Sequence, residues 1–298
     1  MNALARRRIH AYVPLRLQDF VPNRAKRRGG GRRWESLPDK LVGVMREKVF
    51  NLPGVVTALL LTLFLVHLAR VALPDETDLQ LLATFAFVPA RFGMLLDSAG
   101  VIARLNDIAR ASDDQAQLGQ FFLTYGSPSL LWLTPVSYAL LHGSWTHLGL
   151  NGVWLAAFGS PVARRFGTAR FLALALLGAI AGAMAQFALH PFELGPMVGA
   201  SAGISACFGA AARFVFLPGA FARDPSAAAP PPLASFREMV RNPQILAFVG
   251  FWFALNLLTG LAGQGAGLVD APVAWEAHIG GFLLGLFAAP LFDQRRKA

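Results

Sequence analysis

Charge is scarce in this 298-residue chain: Asp, Glu, Lys and Arg make up 15% of it, where a soluble domain carries about a quarter. Hydrophobic residues reach 55% and the mean hydropathy is +0.48, which points to lipid rather than a water-exposed surface. Cysteine is scarcer still. The single Cys207 excludes an intramolecular disulfide and any zinc site built on cysteine, and its apolar surroundings suit a small packing residue. Acids are also few, 17 against 27 Lys and Arg, for a formal net charge of +10. That excess is uneven, because 13 of the 27 basic residues fall within the first 50 positions, where the acids are Asp19, Glu35, Asp39 and Glu47. A basic tail with a cluster from Arg24 to Arg33 and His10 in it suits a solvated segment or a contact with anionic lipid. No nucleic-acid partner is expected. No early apolar run precedes the basic tail, and the first begins near Leu52 and is too long for a signal-peptide core. No cleavable signal is therefore expected, and this run should stay in the membrane.

About 20 apolar residues cross a bilayer as a helix. The run Pro53 to Leu73 has that length, with His67 reading as interfacial and Arg70 placed to snorkel near its end. Runs at about 135–158, 170–189, 198–217, 244–262 and 275–292 follow, and the gaps between them hold Pro, Gly or Arg, among them Pro230-Pro231-Pro232. The segment from Pro74 to about Leu131 mixes apolar stretches with acids and is not expected to span. The fold class is thus all-α: a polytopic membrane protein of six transmembrane helices. A basic cytoplasmic tail (1–50) precedes the membrane domain (51–292, with a long outer loop at 74–131), and a short cytoplasmic tail (293–298) follows it.

Loop charges fit this count. With the N-terminus inside, the inner gaps hold Arg164 and Arg165, then Arg223, Arg237 and Arg241, and the end adds Arg295, Arg296 and Lys297. The short outer gaps around Glu193 and Asp270 lack Lys and Arg. The long outer loop carries Asp75, Glu76, Asp78, Asp97, Asp107, Asp113 and Asp114 against Arg91, Arg104 and Arg110. This is the positive-inside asymmetry, and it puts both termini in the cytoplasm.

Polar groups at membrane depth are costly and mark function more often than packing. The second span holds His142, His147 and Asn151, the last two four apart and on one helix face. The fourth opens with Gly199-Ala200-Ser201, and the sixth contains Ala277-His278 with Gly281 and Gly285 beyond. All three spans run from outside to inside, so the groups can share an outward-opening cavity, with His147 and Asn151 near the middle of theirs. A serine hydroxyl is a weak nucleophile until a base accepts its proton, and His278 is the one histidine in a later span able to do so. An acyl-transfer intermediate also needs donors for its oxyanion. Free N–H groups at the start of the fourth span, the Asn151 amide and the His147 ring can supply them. Gly199 lets a substrate backbone come close. Taken singly, Ser201 also suits a helix N-cap, His278 an interhelical donor, proton relay or metal ligand, and Gly281-x-x-x-Gly285 helix packing. His142 and His147, five apart, share a face poorly, so a two-histidine metal site on that helix is not expected. His190 reads as interfacial, as does Glu276 beside His278.

In these residues the chain resembles the rhomboid family of intramembrane serine proteases, over about residues 50 to 292. The resemblance implies a six-helix rhomboid-like bundle and a Ser201–His278 catalytic dyad without a third carboxylate. It implies that His147 and Asn151 assist the oxyanion with the Ser201 N–H, that His142 supports the site, and that no metal or organic cofactor takes part. Substrates would be single-span or other transmembrane proteins, cut near the outer face, with small residues at the cut and helix-weakening ones beyond. In a bacterium the location would be the inner membrane. Three departures stand out. Ala202 follows Ser201 where the family often has glycine, with Gly203 next. Ser205 occupies a position where some members stack an aromatic on the histidine. Trp132 is followed by Leu133 rather than the arginine common in the first loop. Two other functions fit the same residues: a non-catalytic rhomboid-like factor that binds membrane proteins for quality control, and a transporter or proton channel using His147 and His278 as a relay. Intact Ser201, His278 and Asn151 argue against the first. The lack of internal repeats and the near absence of acids within spans argue against the second.

Overall fold

The computed structural model describes residues 51–126, 128–220, 231–261 and 273–293. The basic segment 1–50, Arg223, the gap at Asp270 and the end at Arg295 to Lys297 lie outside these residues. The described chain is helical; its one β feature is an isolated antiparallel bridge between Phe87 and Met197.

Pro53 precedes α1 (Gly54–Val71), and no proline interrupts the apolar run that follows. The long loop after α1 folds into α2 (Asp75–Phe85), α3 (Pro89–Leu96), α4 (Ser98–Ala111) and α5 (Asp113–Thr124). Their ends are set by local chemistry. Asp97 caps α4 through Gly100 N–H at 2.9 Å, and Ser112 caps α5 through Gln115 N–H at 3.3 Å. The loop has its own apolar cluster of Ala83, Val88, Ala90, Val101 and Phe122, closed by Leu194 from the segment that leads toward Ser201.

The expected second span is corrected at both ends. Residues 134–140 form a short helix, α6 (Thr134–Ser137), and a 3₁₀ turn (Tyr138–Leu140), not the start of a span. The long helix begins at Trp145, because Ser144 adopts extended dihedrals and accepts the His147 N–H at 3.2 Å as an N-cap. Helical backbone then runs through α7 (Trp145–Trp154), a π turn (Leu155–Gly159) and α8 (Ser160–Phe166). The widened turn lies just before Pro161, which has no N–H to return to a carbonyl one turn back. His142 therefore precedes the helix, and His147 and Asn151 sit in its first two turns rather than mid-span.

Next come α9 (Thr168–Leu189), α10 (Ser201–Ala212), α11 (Phe236–Arg241, closed by a Ser235–Glu238 capping box), α12 (Pro243–Leu261) and α13 (Trp275–Phe292). Among the described residues, α1, α9, α12 and α13 are long and apolar enough to cross a membrane. α10 is shorter and buried throughout from Ala202 to Ala212.

Small residues explain how α10 fits between α9 and α13. A Cβ at Gly281 would meet the Ala202 carbonyl oxygen at 2.0 Å, and one at Gly285 the Ala206 oxygen at 1.9 Å. On the other side, Gly182 and Gly178 of α9 leave room for the methyls of Ala202 and Ala206, each 2.4 Å from where a Cβ would stand. Backbones touch where side chains would hold them apart. Gly285→Val is expected to lower the thermal midpoint in detergent, since overpacking costs about 1–3 kcal/mol. Gly250→Val, at a site on α12 with nothing within 4 Å, should leave it nearly unchanged. Equal losses in the two variants would show that the close approach is not what stabilises the bundle.

Candidate active site

The segment entering α10 is strapped from both sides. Met197 exchanges two backbone hydrogen bonds with Phe87 (3.1 and 2.8 Å), and Gly199 N–H donates to the Tyr138 carbonyl at 3.0 Å. Tyr138 is itself fixed by its hydroxyl, which donates to the Ala179 carbonyl of α9 at 2.8 Å. Gly199 has φ +120°, a region that L side chains avoid, and a Cβ there would lie 2.8 Å from the His147 ring. The room that glycine provides is thus taken by His147. Ser201 is the first residue of α10; the N-cap is Ala200, and no side chain caps the helix. The Ser201 hydroxyl is instead 2.7 Å from His278 Nε2, joining residues 77 apart in the chain.

His278 lies in the first turn of α13. Just before it, Glu276 pairs with His190 at the end of α9 (2.8 Å), so both residues expected to be interfacial form a tie between two helix ends. The second ring nitrogen of His278, Nδ1, is 2.5 Å from Oδ1 of Asn256 on α12. Asn256 Nδ2 donates to the Trp252 carbonyl one turn back at 2.8 Å. Sequence reading missed Asn256. The signal was available, because it is a lone amide in an apolar run, and such groups at membrane depth need a partner. Ser205, the position noted for an aromatic, is buried within α10, and His278 is held by Asn256 from a different helix.

Asn151 is buried, and its Nδ2 has no hydrogen-bond partner. That atom is 3.5 Å from where a Gly199 Cβ would stand, so an unsatisfied donor lies beside the approach to Ser201. The first N–H groups of α10 lack intrahelical acceptors by helix geometry. Behind this face, the His142 ring packs edge-on against His147 at 5.1 Å between centroids, and His67 lies 6.5 Å beyond. His67 is buried, with its ring edge-on to Trp145 at 4.5 Å. Arg70 is likewise tied within the protein. Its guanidinium pairs with Asp78 (2.7 and 2.9 Å) and donates to the His142 carbonyl at 2.7 Å, anchoring that segment to α1. Among the described residues no group of three or more His, Cys, Asp or Glu is arranged to hold a metal ion.

The structure therefore brings Ser201, His278 and Asn256 into one hydrogen-bonded line, with Asn151, His147 and Gly199 on its flank and His142 behind them. A hydroxyl bonded to an imidazole, next to free donors, is equipped for acyl transfer.

Residues 130–295, more than half of the chain, match the Rhomboid domain family. A stretch of 157 residues is 31% identical to the Rhomboid protease GluP of Bacillus subtilis (strain 168), covering 53% of this chain and 25% of that protein. The chain thus spans about a quarter of the length of the relative it matches.

A fluorophosphonate probe should label the detergent-solubilised protein at Ser201, since a hydroxyl bonded to imidazole is a competent nucleophile. Ser201→Ala should abolish labelling and His278→Ala should reduce it to background. Undiminished labelling of the His278→Ala protein would separate the hydroxyl's reactivity from the imidazole.

Proposed function

Since this chain belongs to the rhomboid family, we propose that it is an intramembrane serine endopeptidase that cuts transmembrane segments of other membrane proteins near the outer face. It is an integral membrane protein, with four helices among the described residues able to span by length and composition. The finer reading has six spans. It adds the helix from Trp145 to Phe166 and α10, which at about 18 Å is shorter than the roughly 30 Å hydrocarbon core. Placed with its inner end at the cytoplasmic side, so short a helix starts Ser201 below the outer surface, where a substrate span can reach it. Both termini are cytoplasmic in this reading, and the basic segment 1–50 meets the anionic inner leaflet.

The observation that carries the reading is the 2.7 Å contact between Ser201 Oγ and His278 Nε2, made by a serine at a helix start that does no capping. In the reaction, Ser201 Oγ attacks the scissile carbonyl as His278 Nε2 takes the hydroxyl proton. The carbonyl oxygen becomes an oxyanion, stabilised by Asn151 Nδ2, the His147 ring and the Ser201 N–H. Collapse breaks the C–N bond, and the proton on His278 goes to the departing amine. Water, deprotonated by the same nitrogen, then hydrolyses the acyl-enzyme and restores Ser201. His142 keeps the His147 ring in place, and Gly199 leaves it space.

Purified protein should cleave a single-span substrate, and Ser201→Ala or His278→Ala should end cleavage. Asn151→Ala should lower kcat on the order of a hundredfold with KM little changed, because an oxyanion donor acts in the transition state. A fall in melting temperature proportional to the loss of activity would instead make Asn151 a packing residue. Binding of the substrate by wild type without any cleavage would overturn the protease reading in favour of a non-catalytic binder.

Topology has its own test. Reporters fused after Asp97, Glu193 and Asp270 should read outside, and those after Arg165, Arg223 and Lys297 inside. An inside reading at Asp97 or Asp270 would break the six-span arrangement.

A further inference from the structure

The Asn256 amide can face His278 in one way only. Its Nδ2 donates to the Trp252 carbonyl, an oxygen that accepts and cannot donate, so the atom turned to His278 Nδ1 is the carbonyl oxygen Oδ1. An oxygen acceptor at 2.5 Å requires Nδ1 to carry the proton. Neutral imidazole has one proton, so Nε2 is left with its lone pair toward Ser201 Oγ at 2.7 Å. The tautomer that can serve as a base is thereby fixed.

Asn256 is itself held. Trp252, one turn back on α12, stacks on Phe282 of α13 (4.8 Å, 22°) and on Phe208 of α10 (5.2 Å, 28°). Its carbonyl therefore has a set position against the two helices that carry His278 and Ser201. One turn further back, Phe248 also stacks on Phe208 (4.2 Å, 4°), and between Pro243 and Gly260 the buried residues are Ile245, Trp252 and Asn256. A peripheral helix thus places one amide against the base, through an aromatic wedge one turn away.

Resting on the protease reading above, we propose that Asn256 is a positioning residue that extends the Ser201–His278 pair to a Ser–His–Asn arrangement. Its Oδ1 holds the imidazole ring plane and keeps the proton on Nδ1. When His278 takes the serine proton, the cation that forms keeps both donors satisfied, one by Asn256 and the other by the Ser201 oxygen or the leaving-group nitrogen. The third group is an uncharged amide, which spares the site a carboxylate at membrane depth. It comes from α12, not from α10 or α13, so the base is in register only when α12 is docked.

Two substitutions separate this role from packing. Asn256→Leu keeps the volume and removes the acceptor, while Asn256→Asp keeps an oxygen toward His278 and loses the donor to Trp252. On full-length protein in detergent with a single-span substrate, Asn256→Leu should lower kcat on the order of a hundredfold, the scale of a misplaced catalytic group, with KM within about twofold. Its fluorophosphonate labelling should slow in step. Asn256→Asp should recover most of the kcat and of the labelling. If Asn256→Leu cleaves and labels like an active wild type, the inference falls alone. It also falls if Asp and Leu lose activity equally and in proportion to a lowered melting temperature, since the amide would then matter only for holding α12. A wild type inert toward both substrate and probe overturns the protease reading and the inference with it.

Discussion

The approach of α13 to α10 with no side chain between them is the constraint on which the site depends. Helices in lipid gain little from hiding apolar surface from one another, because the solvent is equally apolar; contact area and packing must hold them. Gly281 and Gly285 supply that contact by admitting the carbonyls of Ala202 and Ala206 to the helix surface. The same register fixes the chemistry. His278 is close to one turn before Gly281, and Ser201 directly precedes Ala202, so the carbonyl seated on Gly281 brings the next turn of α13 beside the start of α10. A Cβ at either glycine would move the imidazole away from the hydroxyl by more than a hydrogen bond tolerates.

Opposite the glycine seam, the site is built from polar groups that burial makes expensive. Asn151 Nδ2 is buried without a partner, and the His142 and His67 rings are buried beside it. An unpaired buried donor costs about 1–3 kcal/mol. The surrounding structure has to hold such groups in place, and its ties are visible. Arg70 joins α1, the loop that follows it and the His142 carbonyl through three hydrogen bonds, and the Phe87–Met197 bridge and the Tyr138 carbonyl restrain the chain before Ser201. The long loop after α1, which reads as a mere connection between spans, thereby acts as a brace for the segment that leads to Ser201. Ala202 fits the same scheme. Its methyl fills the notch at Gly182 on α9, which accounts for a side chain beyond hydrogen at the position after the serine.

Much of this was legible in the chain. Sustained apolar runs placed α1, α9, α12 and α13 to within about two residues, because a helix in lipid must satisfy its own backbone and needs a minimum length. The second span was misplaced at its start, since hydropathy cannot register an N-cap. Ser144 ends an apolar stretch and begins the helix by bonding one backbone N–H, a matter of one oxygen. Their place near a span end reads His67 as interfacial and Arg70 as able to snorkel. Their burial depends on Trp145, His142 and Asp78 lying against them, and no local pattern encodes that.

By itself the sequence determined the class of fold and the candidate chemistry. Spans follow from composition over some twenty residues, and a serine, a histidine and an asparagine as candidates follow from which polar groups the chain keeps within apolar surroundings. What only the tertiary structure decided is which of these groups touch and through which atoms. That Ser201 leaves its helix uncapped and bonds His278, that Gly199 makes room for His147 rather than standing open, and that Asn256 takes the far nitrogen of the base all depend on the rotation of each helix about its axis. A helix surrounded by lipid can keep its hydropathy at any rotation, and the low amphipathicity of these spans leaves it nearly unspecified in sequence. Contact between small residues on neighbouring helices sets it, and that contact exists only once the bundle has formed.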